Sequence, residues 1–87
     1  MAKYSVSFKS SVAKDLRTIP GQDVARIMSR INALAESPRA EGCIKLTGSE
    51  CYRVRQGLYR IVYEIHDDRL VVLVIKVGHR SSVYDQV

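Results

Sequence analysis

The chain has 87 residues, 46% of them hydrophobic and 26% charged, which is the composition of one small globular domain and argues against disorder. Its formal net charge of +5 favours an anionic partner, nucleic acid or an acidic protein segment, without choosing between them. No stretch approaches the roughly eighteen apolar residues of a membrane helix, and "MAKYSVSFKSS" lacks the apolar run of a signal peptide, so no membrane partner is expected.

The first segment, "KYSVSF", alternates Tyr4, Val6 and Phe8 with Ser5 and Ser7, the period of a half-buried strand. Ser10 or Ser11 then offers a cap for a short helix carrying Val12, Leu16 and Ile19, which Pro20-Gly21 breaks. A longer helix follows. Val24, Ile27, Met28, Ile31, Leu34 and Ala35 fall on one face, Arg26, Ser29, Arg30 and Asn32 on the other, and Ser37-Pro38 ends it.

Residues 39–50 read as a loop, with Ile44 and Leu46 tacked to the core. Three strands are expected next, at about 51–56, 59–66 and 70–77, separated by Gln56-Gly57 and Asp67-Asp68. The order β-α-α-β-β-β predicts an α+β fold: a small, mostly antiparallel sheet with both N-terminal helices on one face, the whole of 1–87 forming a single domain. Cys43 and Cys51 have neither metal-ligand spacing nor a nearby histidine pair, so they are expected to be free thiols in a reducing cytoplasm.

A two-residue loop at Gln56-Gly57 sets Arg53 opposite Arg60 and Arg55 opposite Leu58. Tyr52, Val54, Tyr59, Ile61, Tyr63 and Ile65 then face the core, while Arg53, Arg55, Arg60, Val62 and Glu64 face away. An odd loop at 67–69 would bury Val71, Leu73, Ile75 and Val77 and bring Lys76 opposite Arg60. Like charges directly opposed across strands destabilise a sheet. One reading is a solvated face that deters edge pairing. The other is a cradle for phosphates, which guanidinium forks grip bidentately.

Over "CYRVRQGLYRIVYEIHDDRLVVLVIKVGHRSSVY", extending back through "ALAESPRAEGCIKLTG" and "YSVSF", the sequence resembles the RelE branch of the RelE/ParE toxin superfamily of toxin–antitoxin pairs. The resemblance implies an mRNA endonuclease that enters the ribosomal A site and cuts the codon there, with no cofactor. It implies that Arg53, Arg55, Arg60, Arg80 and Tyr84 form the site. This chain has arginine at both 53 and 55, where the family usually has at least one lysine, and its loop from Arg80 to Tyr84 is short. The implied partners are a cognate antitoxin (RelB-like or other) in a hetero-oligomeric complex, and mRNA on the 70S ribosome with its rRNA.

The implied chemistry is attack of a 2′-OH on its own 3′ phosphodiester, leaving a 2′,3′-cyclic phosphate and a 5′-OH. Arginine does not act as a base near neutrality, so Arg60 and Arg80 are cast as phosphate clamps and Arg53 and Arg55 as further clamps or positioning groups. Tyr84, its phenolate favoured by neighbouring cations, is the expected general base or a stacking platform, and His79 is the alternative base. Two rival readings stand beside this one: a ParE-like inhibitor of DNA gyrase that cuts no RNA, and an inactive RNA-binding module.

Overall fold

The computed structural model describes residues 3–79. Arg80 and Tyr84 lie outside the described residues. The elements are β1 (Ser5–Phe8), α1 (Ser10–Arg17), α2 (Gly21–Glu36), β2 (Ile44–Lys45), β3 (Cys51–Gln56), β4 (Tyr59–His66) and β5 (Val71–His79). They build one five-stranded sheet in the order β1-β5-β4-β3-β2. All neighbours run antiparallel except β1, which lies parallel to β5 with Val6 beside Val72 and Phe8 beside Val74. The fold is α+β, as expected.

Both helices cover one face of the sheet. Val12 of α1 and Ile27, Ile31 and Leu34 of α2 are buried against Ile61, Tyr63 and Val74 from the strands. The predicted stripe of α2 is therefore the core stripe, with Val24 and Met28 at its half-buried margins. The end of α2 is fastened by the Tyr63 hydroxyl, which donates to the Pro38 carbonyl at 2.7 Å.

The start of α1 differs from expectation. Its N-cap is Lys9, and no side chain caps it. The reason lies in β1: the Lys9 amide still donates to Val74 O at 2.9 Å, so extended backbone persists through Lys9 and Ser10 is already helical.

The predicted loop at 39–50 contains a short edge strand, β2, pairing Ile44 with Arg53 and Lys45 with Tyr52. Two residues are too few to show an alternation in sequence. Ile44 is 51% exposed rather than tacked to the core, whereas Leu46 is half-buried.

The β3–β4 turn is Gly57-Leu58, not Gln56-Gly57, with Gly57 at φ +61° and Gln56 paired with Tyr59. Glycine at the first central position suits a primed hairpin turn, whose twist matches the strands it joins. The register therefore slides by two residues. Each side chain keeps its predicted face, but the opposing pairs change: Arg55 stands opposite Arg60, and Arg53 opposite Val62.

The last strand also departs from expectation. The connection from His66 to Val71 has four residues, an even loop, so Val72 and Val74 enter the core, and Val71, Leu73 and Ile75 do not. A bulge then skips Ile75: Tyr63 pairs with Val74, but Val62 pairs with Lys76. The extra residue returns Val77 to the core, as predicted, and sets Lys76 beside Val62 instead of Arg60. Lys76 escapes burial without a partner because Asp15 of α1 receives it at 3.3 Å. The same carboxylate accepts the Val77 amide at 3.3 Å, filling the β5 edge beyond the last β1 pair, Phe8 with Val74.

Candidate functional site

On the sheet face away from the helices, two rows cross three strands. One is Arg55, Arg60, Gly78; the next is Arg53, Val62 and Lys76, whose ammonium reaches back to Asp15 of α1. Alternation explains the segregation. Val54, Ile61 and Tyr63 point toward the helices, so the intervening arginines point the other way. Directly opposed residues have Cβ atoms about 5 Å apart, so Arg55 and Arg60 repel at close range. Gly78 completes their row without a side chain.

The arginines differ in exposure. Arg53 is 7% and Arg60 4% exposed, while Arg55 is open to solvent. Charges held away from bulk water exert a stronger field than solvated ones. Two carboxylates nearby have partners of their own. Glu64, the acid on this face, lies 2.9 Å from His66 Nε2, and Asp15 serves Lys76. The face is thus a cationic surface with guanidinium groups at two depths.

His79 is placed apart from these arginines. It ends β5 opposite Tyr59, a residue packed on the helix side of the sheet, and their rings meet edge-on at 6.1 Å. It lines a cleft of about 540 Å³ with Lys14, Asp15 and Thr18 of the α1 region and with Lys76 and Gly78 of its own strand. The structure therefore brings Arg53, Arg55 and Arg60 together and sets His79 on the other side.

The strongest perturbations of titratable groups occur away from this face. Two hydrogen bonds from Arg39, at 2.8 and 3.1 Å, and one from the Tyr4 hydroxyl, at 2.6 Å, lower the Asp67 carboxyl to about 2. Burial pushes the Tyr63 phenol far above its usual range. Both groups belong to the scaffold: Asp67 joins the β4–β5 turn to Tyr4, just before β1, and to the segment after α2, and Tyr63 fastens the end of α2. Among the described residues, no group of three or more His, Cys, Asp or Glu side chains is placed to hold a metal ion.

One residue near the face escaped sequence reasoning. Arg30 was assigned to the polar side of α2. It flanks the apolar stripe, three residues after Ile27 and four before Leu34, and it lines a pocket with Arg53 and Arg55. That borderline position was the available signal.

Comparison with known proteins settles the lineage. Residues 6–84 match the family described as ParE toxin of the type II toxin–antitoxin system parDE. The mRNA interferase toxin RelE of Escherichia coli is 34% identical over 88 aligned residues, covering 95% of this chain and 92% of that protein. The chain belongs to the RelE/ParE toxin superfamily, on its RelE branch. Its fold superposes on the toxin–antitoxin complex RelBE2 of Mycobacterium tuberculosis with a TM-score of 0.83 at 26% identity, covering 94% of this chain and 97% of that one. The intact E. coli RelBE complex gives a TM-score of 0.77 at 32% identity, covering 87% and 95%. This RelE-branch chain is therefore a toxin of a type II toxin–antitoxin system.

Proposed function

We propose that this RelE-branch toxin is an endoribonuclease that cuts mRNA codons in the ribosomal A site. The observation that carries the reading is the Arg55–Arg60 row, two guanidinium groups directly opposed across the β3–β4 ladder, whose forks suit a phosphate. The E. coli relative is called an mRNA interferase, which supports RNA as the source of that phosphate.

In the proposed reaction the RNA supplies its own nucleophile. The 2′ oxygen forms a bond to the adjacent phosphorus, the bond to the 5′ oxygen breaks, and the proton lost from the 2′-OH is balanced by one delivered to the leaving oxygen. Arg60 and Arg55 stabilise the charge that builds on the phosphorane, and Arg53 holds the neighbouring strand in line. Arg80 adds a further clamp and Tyr84 takes the 2′ proton; both roles derive from the family resemblance. His79 is the less favoured base because its row is that of Tyr59.

An 87-residue domain has little surface with which to hold flexible RNA in an in-line geometry, so the A site of the 70S ribosome supplies the immobilised strand. The net charge of +5 suits docking against rRNA. The proposed setting is the cytoplasm, and the proposed inhibitor is a cognate antitoxin of RelB-like kind, as in the related RelBE complexes.

The deciding experiment is cleavage of a defined mRNA by purified toxin with and without 70S ribosomes carrying an empty A site. The expected result is new 5′ ends at fixed positions in the reading frame, formed quickly only when ribosomes are present. Equally fast cutting of naked RNA without frame periodicity would overturn ribosome dependence. A second reading, inhibition of DNA gyrase, is favoured by the ParE description of the matched family. It requires loss of supercoiling activity at toxin concentrations that leave mRNA intact.

A further inference from the structure

Strand β2 covers β3 only at Tyr52 and Arg53. Beyond it a pocket of about 310 Å³ opens, walled by Gly42 and Ile44, by Arg53 to Arg55, and by Arg30 from α2. Three arginines line it and, among the described residues, no carboxylate does. Pockets of this size are at the lower end of those that take small ligands.

Arg30 makes the pocket more than a gap between elements. Its Nε is buried with no hydrogen-bond partner, and its one contact of that kind among the described residues is a long one, Nη2 to Glu41 O at 3.4 Å. Buried donors are almost always satisfied, so the orphaned Nε–H leaves this guanidinium, beside the pocket, with bonding capacity that the protein does not use. The opposite wall is shaped to this side chain. Gly42 has φ +93°, and a Cβ there would come within 3.2 Å of Arg30 Nη2, so glycine both permits the turn and leaves the guanidinium its space.

We infer that Arg30, with Arg53 and Arg55, forms a second phosphate-binding subsite, which takes a backbone phosphate of the RNA next to the scissile one. Arg53 and Arg55 connect the two positions. Arg55 also belongs to the row with Arg60, so a strand crossing the hairpin meets that row and then the pocket. The chemical class of ligand is a phosphodiester, gripped by the fork of Arg30 in a way lysine does not reproduce. The inference rests on the RNA-cleavage reading for the identity of the ligand.

The test uses the full-length toxin and a single-stranded 2′-O-methyl oligoribonucleotide, which has no free nucleophile and is not cut. Each phosphate neutralised on a single strand adds about 0.7 to the slope of log affinity against log salt. Arg30→Gln should therefore lower that slope by about 0.7 and weaken binding several-fold, while Arg30→Lys keeps the slope and loses part of the affinity. In the parent protein, the Arg30 Nε–Hε resonance should shift on titration with the oligonucleotide, a readout that stands even if the variants unfold. An unchanged slope in a folded Arg30→Gln, or an unmoved Nε–Hε resonance, overturns the subsite. So does a resonance that moves with an acidic antitoxin peptide but not with RNA. Because the measurement involves neither cleavage nor ribosomes, failure of the cleavage reading and failure of the subsite give separate results.

Discussion

Arg55 stands directly across the β3–β4 ladder from Arg60, with side-chain-free Gly78 next in the row. Like charges directly opposed across strands work against the hairpin's stability. A phosphate at the pair would be gripped by both guanidinium forks. Replacing Arg55, the exposed member, should accordingly separate stability from activity. Arg55→Gln is expected to hold or raise the melting temperature while lowering the single-turnover cleavage rate by about a hundredfold, the scale of losing one transition-state donor. Parent-like cleavage by Arg55→Gln and by Arg60→Gln together would remove the clamp assignment.

The choice of general base gives a second prediction. His79 shares a row with Tyr59 on the helix side of the sheet, away from the arginines. His79→Gln should therefore leave the cleavage rate within a few-fold of the parent, whereas Tyr84→Phe should reduce the single-turnover rate sharply with little change in ribosome binding. A rate that titrates near the ordinary histidine value of about 6.5, and loses that titration in His79→Gln, would reverse the assignment.

The two helices, four of the five described strands and the cationic face of the hairpin were legible in the sequence because they depend on periodicity, which is a local property. Alternation assigned Arg53, Arg55 and Arg60 to one face, and a register slip of two residues left that assignment intact while exchanging their partners. What periodicity does not carry is the count of residues in a turn. Gly57 opens its turn where it was expected to close it, and the four-residue connection after His66 exchanged the two faces of the first half of β5. The bulge at Ile75 leaves no mark in the alternation, and the Asp15–Lys76 pair was beyond local reading because its partners lie far apart in the chain. The parallel seating of β1 on β5 is of the same kind. Arg30 was missed because a guanidinium beside an apolar stripe looks like a solvated one until the Gly42 turn is folded against it.

A third prediction concerns the buried hydroxyl of Tyr63. The ring is fully buried, and its O–H donates to Pro38 O at 2.7 Å, holding the end of α2 to β4. Tyr63→Phe keeps the ring but leaves that carbonyl without its donor, which costs about 1–3 kcal/mol. In a domain of this size, each 1 kcal/mol lowers the melting temperature by about 4–8 °C. Calorimetry should show a drop on that scale with kcat little changed at a temperature where both proteins are folded. An unchanged melting temperature would mean that another donor reaches the carbonyl.

The last prediction is the pH dependence of the Arg39–Asp67–Tyr4 cluster. Asp67 has its folded-state carboxyl lowered to about 2, chiefly by hydrogen bonds from Arg39 and then by the Tyr4 hydroxyl. An unfolded aspartate titrates near 3.9. A depressed folded value means that the unfolded chain takes up its proton first, so the contribution is complete above about pH 5 and is lost as pH falls through about 2. Asp67 is 56% and Arg39 49% exposed, so water and salt screen the effect and the stabilisation is modest. The same hydrogen bond raises the Tyr4 phenol, so that part of the cluster holds at neutral pH and is lost only as strongly alkaline conditions deprotonate the donor. The stability of the parent minus that of Asp67→Asn, measured by urea unfolding from pH 7 to pH 2, should be positive at pH 7, hold down to about pH 5 and shrink toward zero at the acid end. Raising the salt concentration should reduce the difference at pH 7. A difference that is the same at pH 2 and pH 7 would show that Asp67 acts there through turn geometry and not through its charge.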